Sequence, residues 1–297
     1  MTIAPRCVLS ASRRTDIPAF YLDWFLEGIR QGAFDVRGPY QRQPRRVPAS
    51  VAAVHTIVFW SKDFGPFLRR RVGEQLQRQG FHLFFNFTVN SRDRILEPRV
   101  PELKERLDQL AELARRFSPE AIHWRFDPIC HYRTSDGRTH DNRGDFQHIA
   151  DAAAAAGIRR CITSFVDLYP KVGRRAERVG VWFQDPPMTE KTAILEAMAE
   201  ALRCRRIGLE TCCEAEVLDH LPVGTDIRAG ACIPSDRLMA LFGGHLSLRQ
   251  DSGQRRRAGC RCRVSVDIGS YALHPCHHNC LFCYARPIGA VSTEPSG

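Results

Sequence analysis

Three cysteines near the end of the chain, Cys276, Cys280 and Cys283, stand in the order C-x3-C-x2-C within the stretch Cys276-His277-His278-Asn279-Cys280-Leu281-Phe282-Cys283-Tyr284. Thiolates are soft ligands, and a compact trio of them suits an iron–sulfur cluster or zinc. The count is informative, because a cluster held by three cysteines keeps one iron open to a small molecule. A structural zinc knuckle is the competing reading, with His274, His277 or His278 as fourth ligand.

The chain holds twelve cysteines, and they are unevenly spread. Cys7, Cys130, Cys161 and Cys204 are scattered, whereas Cys212, Cys213, Cys232, Cys260 and Cys262 crowd toward the trio. Cys212, Cys232 and the C-x-C pair Cys260 and Cys262 offer four thiolates for a second centre, either an auxiliary [4Fe–4S] cluster or an all-cysteine zinc ion. Cys213, beside Cys212, leaves the ligand set ambiguous, and burial of ordinary free thiols is the alternative. No signal-peptide pattern opens the sequence and no apolar run approaches membrane-spanning length, so a cytoplasmic protein without a membrane partner is expected. In that compartment such cysteines point to metal or redox chemistry rather than disulfides.

A net charge of +10 raises the question of nucleic acid. The excess is nearly all arginine, with only Lys62, Lys104, Lys171 and Lys191 as lysines. It is dispersed over helix faces, and no basic stretch is interleaved with aromatics. Nucleic acid is therefore not the favoured partner, and the run Arg255-Arg256-Arg257 reads as a solvated face.

A repeating strand–helix pattern must position these groups. Buried apolar runs predict strands at 7–10, 56–60, 82–89, 121–126, 160–166 and 206–210. Helical spacing follows most of them, as in Phe20, Trp24, Phe25 and Ile29 or in Ile194, Leu195, Met198 and Leu202. Gly38-Pro39, the basic segment 41–50, the polar stretch 133–143 and the segment through Gly173 and Gly180 read as loops. Six such units imply an α/β protein with a parallel sheet and right-handed crossovers. The expected architecture is a partial (βα)6 TIM-like barrel over residues 1–214. A cysteine-rich C-terminal extension, 215–297, would close the barrel mouth. No G-x-G-x-x-G turn is present, which weighs against an NAD-binding fold.

Polar residues collect where the strands end: Ser12 to Asp16, Ser61 and Lys62, Asn86 and Thr88, Arg125 and Asp127, Thr163 and Asp167, Glu210 and Glu214. In α/β barrels that rim is the active-site face. Arg13 and Arg14 suit a bidentate hold on a carboxylate or phosphate. Asp16, Lys62, Arg125, Asp127, Glu210 and Glu214 are the further candidates for binding or catalysis. Each has a structural ion pair as its alternative.

The chain resembles the DUF1848 family, which is related to the radical S-adenosylmethionine (SAM) superfamily. The match is carried by Ser10-Ala11-Ser12-Arg13-Arg14-Thr15-Asp16-Ile17-Pro18, Phe59-Trp60-Ser61-Lys62, Trp124-Arg125-Phe126-Asp127-Pro128, Thr211-Cys212-Cys213-Glu214, Ser265-Val266-Asp267-Ile268-Gly269-Ser270-Tyr271 and the cysteine trio. The superfamily resemblance implies a [4Fe–4S] cluster on Cys276, Cys280 and Cys283, with SAM on the open iron and a small-molecule substrate. It also implies an electron donor such as flavodoxin or ferredoxin. Phe282 would pack on the adenine, with Arg13, Asn86 and Thr88 as further cofactor contacts. Tyr271, Tyr284 or Cys213 could donate hydrogen. Most radical SAM enzymes carry the trio after the first strand, whereas here the tail must fold over the mouth to deliver it. A photoproduct-lyase-like DNA repair enzyme and a non-catalytic zinc-binding module are the alternatives.

Overall fold

The computed structural model describes residues 6–36 and 43–285. The expected break at Gly38-Pro39 and the start of the 41–50 segment lie outside the described residues.

Eight strands form one sheet: β1 (Cys7–Ala11), β2 (Val54–Ser61), β3 (His82–Thr88), β4 (Ile122–Ile129), β5 (Arg160–Phe165), β6 (Gly208–Thr211), β7 (Arg228–Ala229) and β8 (Val266–Asp267). Their order is β7-β6-β5-β4-β3-β2-β1-β8, and every pairing is parallel. The central strands are almost continuously buried, as a parallel sheet covered on both faces requires.

Alternation along the strands divides the side chains between two faces. Leu9, Ile57, Phe59, Phe85, Phe87 and Trp124 point toward the helices. There they meet α2 (Leu22–Arg30) through Phe25, α3 (Gly65–Arg69) through Phe67, α4 (Val72–Arg78) through Leu76 and α5 (Leu103–Phe117) through Leu110 and Leu113. The remaining layer is α6 (Phe146–Ala155), α8 (Met188–Arg203) and α9 (Ala215–Asp219), whereas α7 (Pro170–Glu177) packs through Ala176 with Tyr132 and Val181. Val8, Val58 and Phe84 face the other way and pack on Cys232, Ile233, Leu238, Cys260 and Cys262. The inner face is thus filled by the tail itself, including α10 (Ser235–Phe242).

Several expectations are corrected. The sheet has eight strands rather than six, because β7 and β8 arise from the cysteine-rich tail and pair with β6 and β1 at its two edges. Each has two residues, too few for a period, and owes its form to the neighbouring strand. Arg45–Pro48, expected in a loop, pairs antiparallel with Ala33–Val36. Within the polar 133–143 stretch, His131–Thr134 and Thr139–Asp141 make a hairpin turning at Gly137, whose φ of +82° suits glycine. Val181–Gln184 adds a third strand, and α7 occupies the expected loop before it. Among the described residues β7 and β8 do not pair, so the sheet is open.

Candidate metal-binding sites at the strand ends

The turn after β1 is the hub of the site. Asp16 caps α1 (Ile17–Phe20) by accepting from Ala19 N at 2.9 Å. It also accepts from Ser61 Oγ and Lys62 N at the end of β2, both at 2.8 Å. Its remaining partner comes from the tail, His278 Nε2 at 2.8 Å. One buried carboxylate therefore ties together two strand ends and the segment that carries the cysteine trio. Asp267 does the same for β8, accepting from Ser10 Oγ at 3.0 Å, Ser12 Oγ at 2.6 Å and Arg13 N at 2.8 Å.

The segment 275–284 lies across this rim like a strap. Tyr21 Oη donates to Pro275 O at 2.6 Å, Tyr284 Oη to Arg13 O at 2.9 Å, and Leu281 N to Leu96 O at 2.8 Å. The Arg175 guanidinium donates to the carbonyls of Leu281 and Cys283. Lys62 Nζ sits 5.2 Å from the centroid of the Phe282 ring and bonds Glu97 at 2.5 Å. Burial pushes the Cys276 thiol up to about 12 and the Cys280 thiol well above its ordinary value, with neighbouring Cys283 adding to both.

Three soft thiols are the donor type that a cluster takes, and the charges beside them are mixed, with Lys62 and Arg175 cationic and Asp16 and Glu97 anionic. The histidines proposed as zinc ligands have other partners. His278 is bonded to Asp16, His277 Nε2 lies 3.3 Å from Tyr21 Oη, and His274 Nδ1 accepts from Ser270 N at 3.2 Å.

Farther along the rim, Asp127 accepts from Arg125 Nη2 at 2.5 Å and from Ser164 Oγ. Burial pushes its carboxyl up, but Arg125, Ser164 and Lys62 together outweigh this and hold it below the usual range. Glu214 accepts from Phe165 N at 2.8 Å, and burial raises it to about 7. The Arg13 and Arg125 guanidiniums both lie over the Trp60 ring, each 5.3 Å from its centroid.

A second group of thiols lies on the inner face. Cys212 Sγ is 3.8 Å from Cys213 Sγ and 3.7 Å from Cys232 Sγ. Cys260 and Cys262 lie in the same buried cluster as Cys232, and Cys212 and Cys213 pack against it, so five cysteines gather here. Arg125 Nη1 donates to Cys232 Sγ and Asn86 Nδ2 to Cys232 O. Arg13 Nη1 reaches Ser265 Oγ at 3.2 Å, while its buried Nη2 has no hydrogen-bond partner among the described residues. Among the described residues, no group of three or more His, Cys, Asp and Glu side chains already converges as metal ligands do.

Residues 8–285 match a family model described as Domain of unknown function (DUF1848). The chain belongs to the DUF1848 family. No curated protein matches it.

In this DUF1848 chain Arg13, Asp16, Lys62, Arg125, Asp127 and Glu214 gather at one rim with the trio. The other expected residues do not all join them. Glu210 forms an ion pair with Arg160, the first residue of β5, and lines a cleft of about 1050 Å³ with Arg159, Arg228 and Arg237. Arg14 Nη1 donates to Gly269 O at 3.0 Å and so latches the tail. Asn86 bonds the Cys232 carbonyl rather than the strap, and Thr88 ends β3 opposite Arg125. Tyr271 packs edge-on to Tyr284 with ring centroids 6.4 Å apart.

Glu97, Ser164 and the contact role of His278 had no sequence signal. Glu97 sits in a connector, where its buried carboxylate meets Lys62, Asn90 and Arg106 only through the fold.

Proposed function

We propose that this DUF1848 protein is an iron–sulfur enzyme of the radical SAM type, with Cys276, Cys280 and Cys283 holding a [4Fe–4S] cluster over the rim of a partial barrel. The reading rests on one observation above all. The strap carrying the three cysteines is fixed to the turn after β1 through His278–Asp16 and Tyr284–Arg13, on the same rim as Lys62, Asp127 and Glu214. A further feature supports it: the strand order runs consecutively from β1 to β7 with β8 beside β1, as in a barrel with one open seam. Bound there, such a cluster supplies the electron that cleaves SAM and starts radical chemistry on a substrate.

The chain's own residues would then bind and orient. Arg125 and Ser164 keep Asp127 ionised and aimed into the rim, ready to accept hydrogen bonds from a polar small molecule. Glu214, with its carboxyl near 7, can hold or release a proton at neutral pH. The strap and the Lys62–Glu97 pair beneath Phe282 restrict water.

The test is formation of 5′-deoxyadenosine by anaerobically reconstituted, reduced protein given SAM. The expected result is cluster-dependent product that disappears when the trio is changed to alanine. Reconstituted protein that contains zinc and neither iron nor sulfide would contradict the reading.

A further inference from the structure

The five-cysteine cluster on the inner face is separate from the strap, and the sulfur spacings within it are informative. A zinc ion holds thiolates at about 2.3 Å, which places the sulfurs of a tetrahedron about 3.8 Å apart. Cys212 stands 3.7 Å from Cys232 and 3.8 Å from Cys213, already at that edge length. A four-iron cube holds its cysteine sulfurs much farther apart than Cys212 and Cys232 stand. We propose that Cys212, Cys232, Cys260 and Cys262 form a second metal centre, a single tetrahedral zinc ion that locks the tail into the inner face of the sheet.

The ligand set follows from the contacts. Cys232, Cys260 and Cys262 are buried in one cluster. Of the adjacent pair, Cys212 touches Cys232, whereas Cys213 has a left-handed φ of 63°. Binding zinc would draw the four sulfurs onto one point. Zinc displaces the thiol protons as it binds. The resulting tetrathiolate carries two net negative charges, and two guanidiniums stand ready for them. Arg125 already donates to Cys232 Sγ, and Arg13 brings a buried Nη2 that has no hydrogen-bond partner among the described residues.

The consequence is architectural. One ion would cross-link the end of β6, the segment before α10 and the C-x-C pair that leads into β8. It would hold the two edges of the open sheet relative to each other, and through β8 it would set the strap. This centre needs no redox change, so it stands or falls independently of the trio's chemistry.

The experiment uses the full chain with Cys276, Cys280 and Cys283 changed to alanine, purified with zinc and then with cobalt in its place. The expected result is about one zinc per chain, and a cobalt form with thiolate charge-transfer and tetrahedral ligand-field bands. Cys213→Ser should keep both signals and Cys232→Ser should lose them. Loss of a cluster cysteine can itself prevent folding, so the cobalt spectrum with all five cysteines intact decides. Absence of those bands would overturn the proposal. So would iron and sulfide retained by that protein, or zinc that survives both Cys232→Ser and Cys262→Ser.

Discussion

Asp16 shows how one side chain can carry both fold and site. Its carboxylate caps α1, holds the end of β2 and receives His278 from the strap. Asp16→Ala leaves those buried donors without an acceptor and should cost about 2–4 kcal/mol. Urea denaturation would measure this. Asp16→Asn, which keeps one acceptor oxygen, should recover part of the loss and should retain more iron after reconstitution than the alanine variant. Equal iron in wild type and Asp16→Ala would show that the strap does not depend on this carboxylate.

His123 makes a second residue-scale case. It is buried against Phe84, with neither ring nitrogen bonded among the described residues. Burial, with Arg237, Arg160 and Arg125 nearby, holds it well below its ordinary value of 6.5. The folded protein therefore keeps His123 neutral while the unfolded chain takes up a proton. Its contribution is intact above about pH 6.5 and is lost as the pH falls below that value, by up to about 1.4 kcal/mol per pH unit. His123→Phe should flatten the stability profile between neutral pH and pH 5, in denaturation titrations run beside wild type. An unchanged slope would assign the acid sensitivity to other groups.

At the scale of elements, the tail is the part that the sequence hides. The long central strands were legible because buried apolar runs of five to eight residues leave a pattern. Arg228–Ala229 and Val266–Asp267 leave none, since pairing with β6 and β1 defines them. The close approach of Gly269 to the turn after β1 is likewise invisible in one dimension. A Cβ there would lie 2.1 Å from Ser12 Oγ and 2.7 Å from Ser12 Cβ. Gly269→Ala should push β8 away from β1 and destabilise the fold by about 1–3 kcal/mol. Limited proteolysis should then cut the tail faster than in wild type, and an unaltered cleavage rate would refute the tight junction.

The site was partly legible for the same kind of reason. The C-x3-C-x2-C spacing is local, so Cys276, Cys280 and Cys283 could be picked out directly. Cys212, Cys232, Cys260 and Cys262 could be grouped only by their abundance, and the fold brings them together with Cys213. Glu210 does not join the rim, because a position near a strand end does not say which neighbour the carboxylate meets. It pairs with Arg160 instead.

For the whole molecule, an open eight-stranded parallel sheet is covered outside by helices and filled inside by its own C-terminal tail. No helix among the described residues is long and apolar enough to cross a membrane. The arrangement brings the last cysteines of the chain to the first turn of the chain, where Arg13 and Asp16 wait.

The most direct test of that account is the iron and acid-labile sulfide content of anaerobically reconstituted protein, wild type beside the variant with Cys276, Cys280 and Cys283 changed to alanine. The expected result is about four irons and four sulfides per chain in the wild type, and their loss in the variant with the fold retained. Equal iron and sulfide in the two proteins, or none in either, would contradict a cluster on the strap.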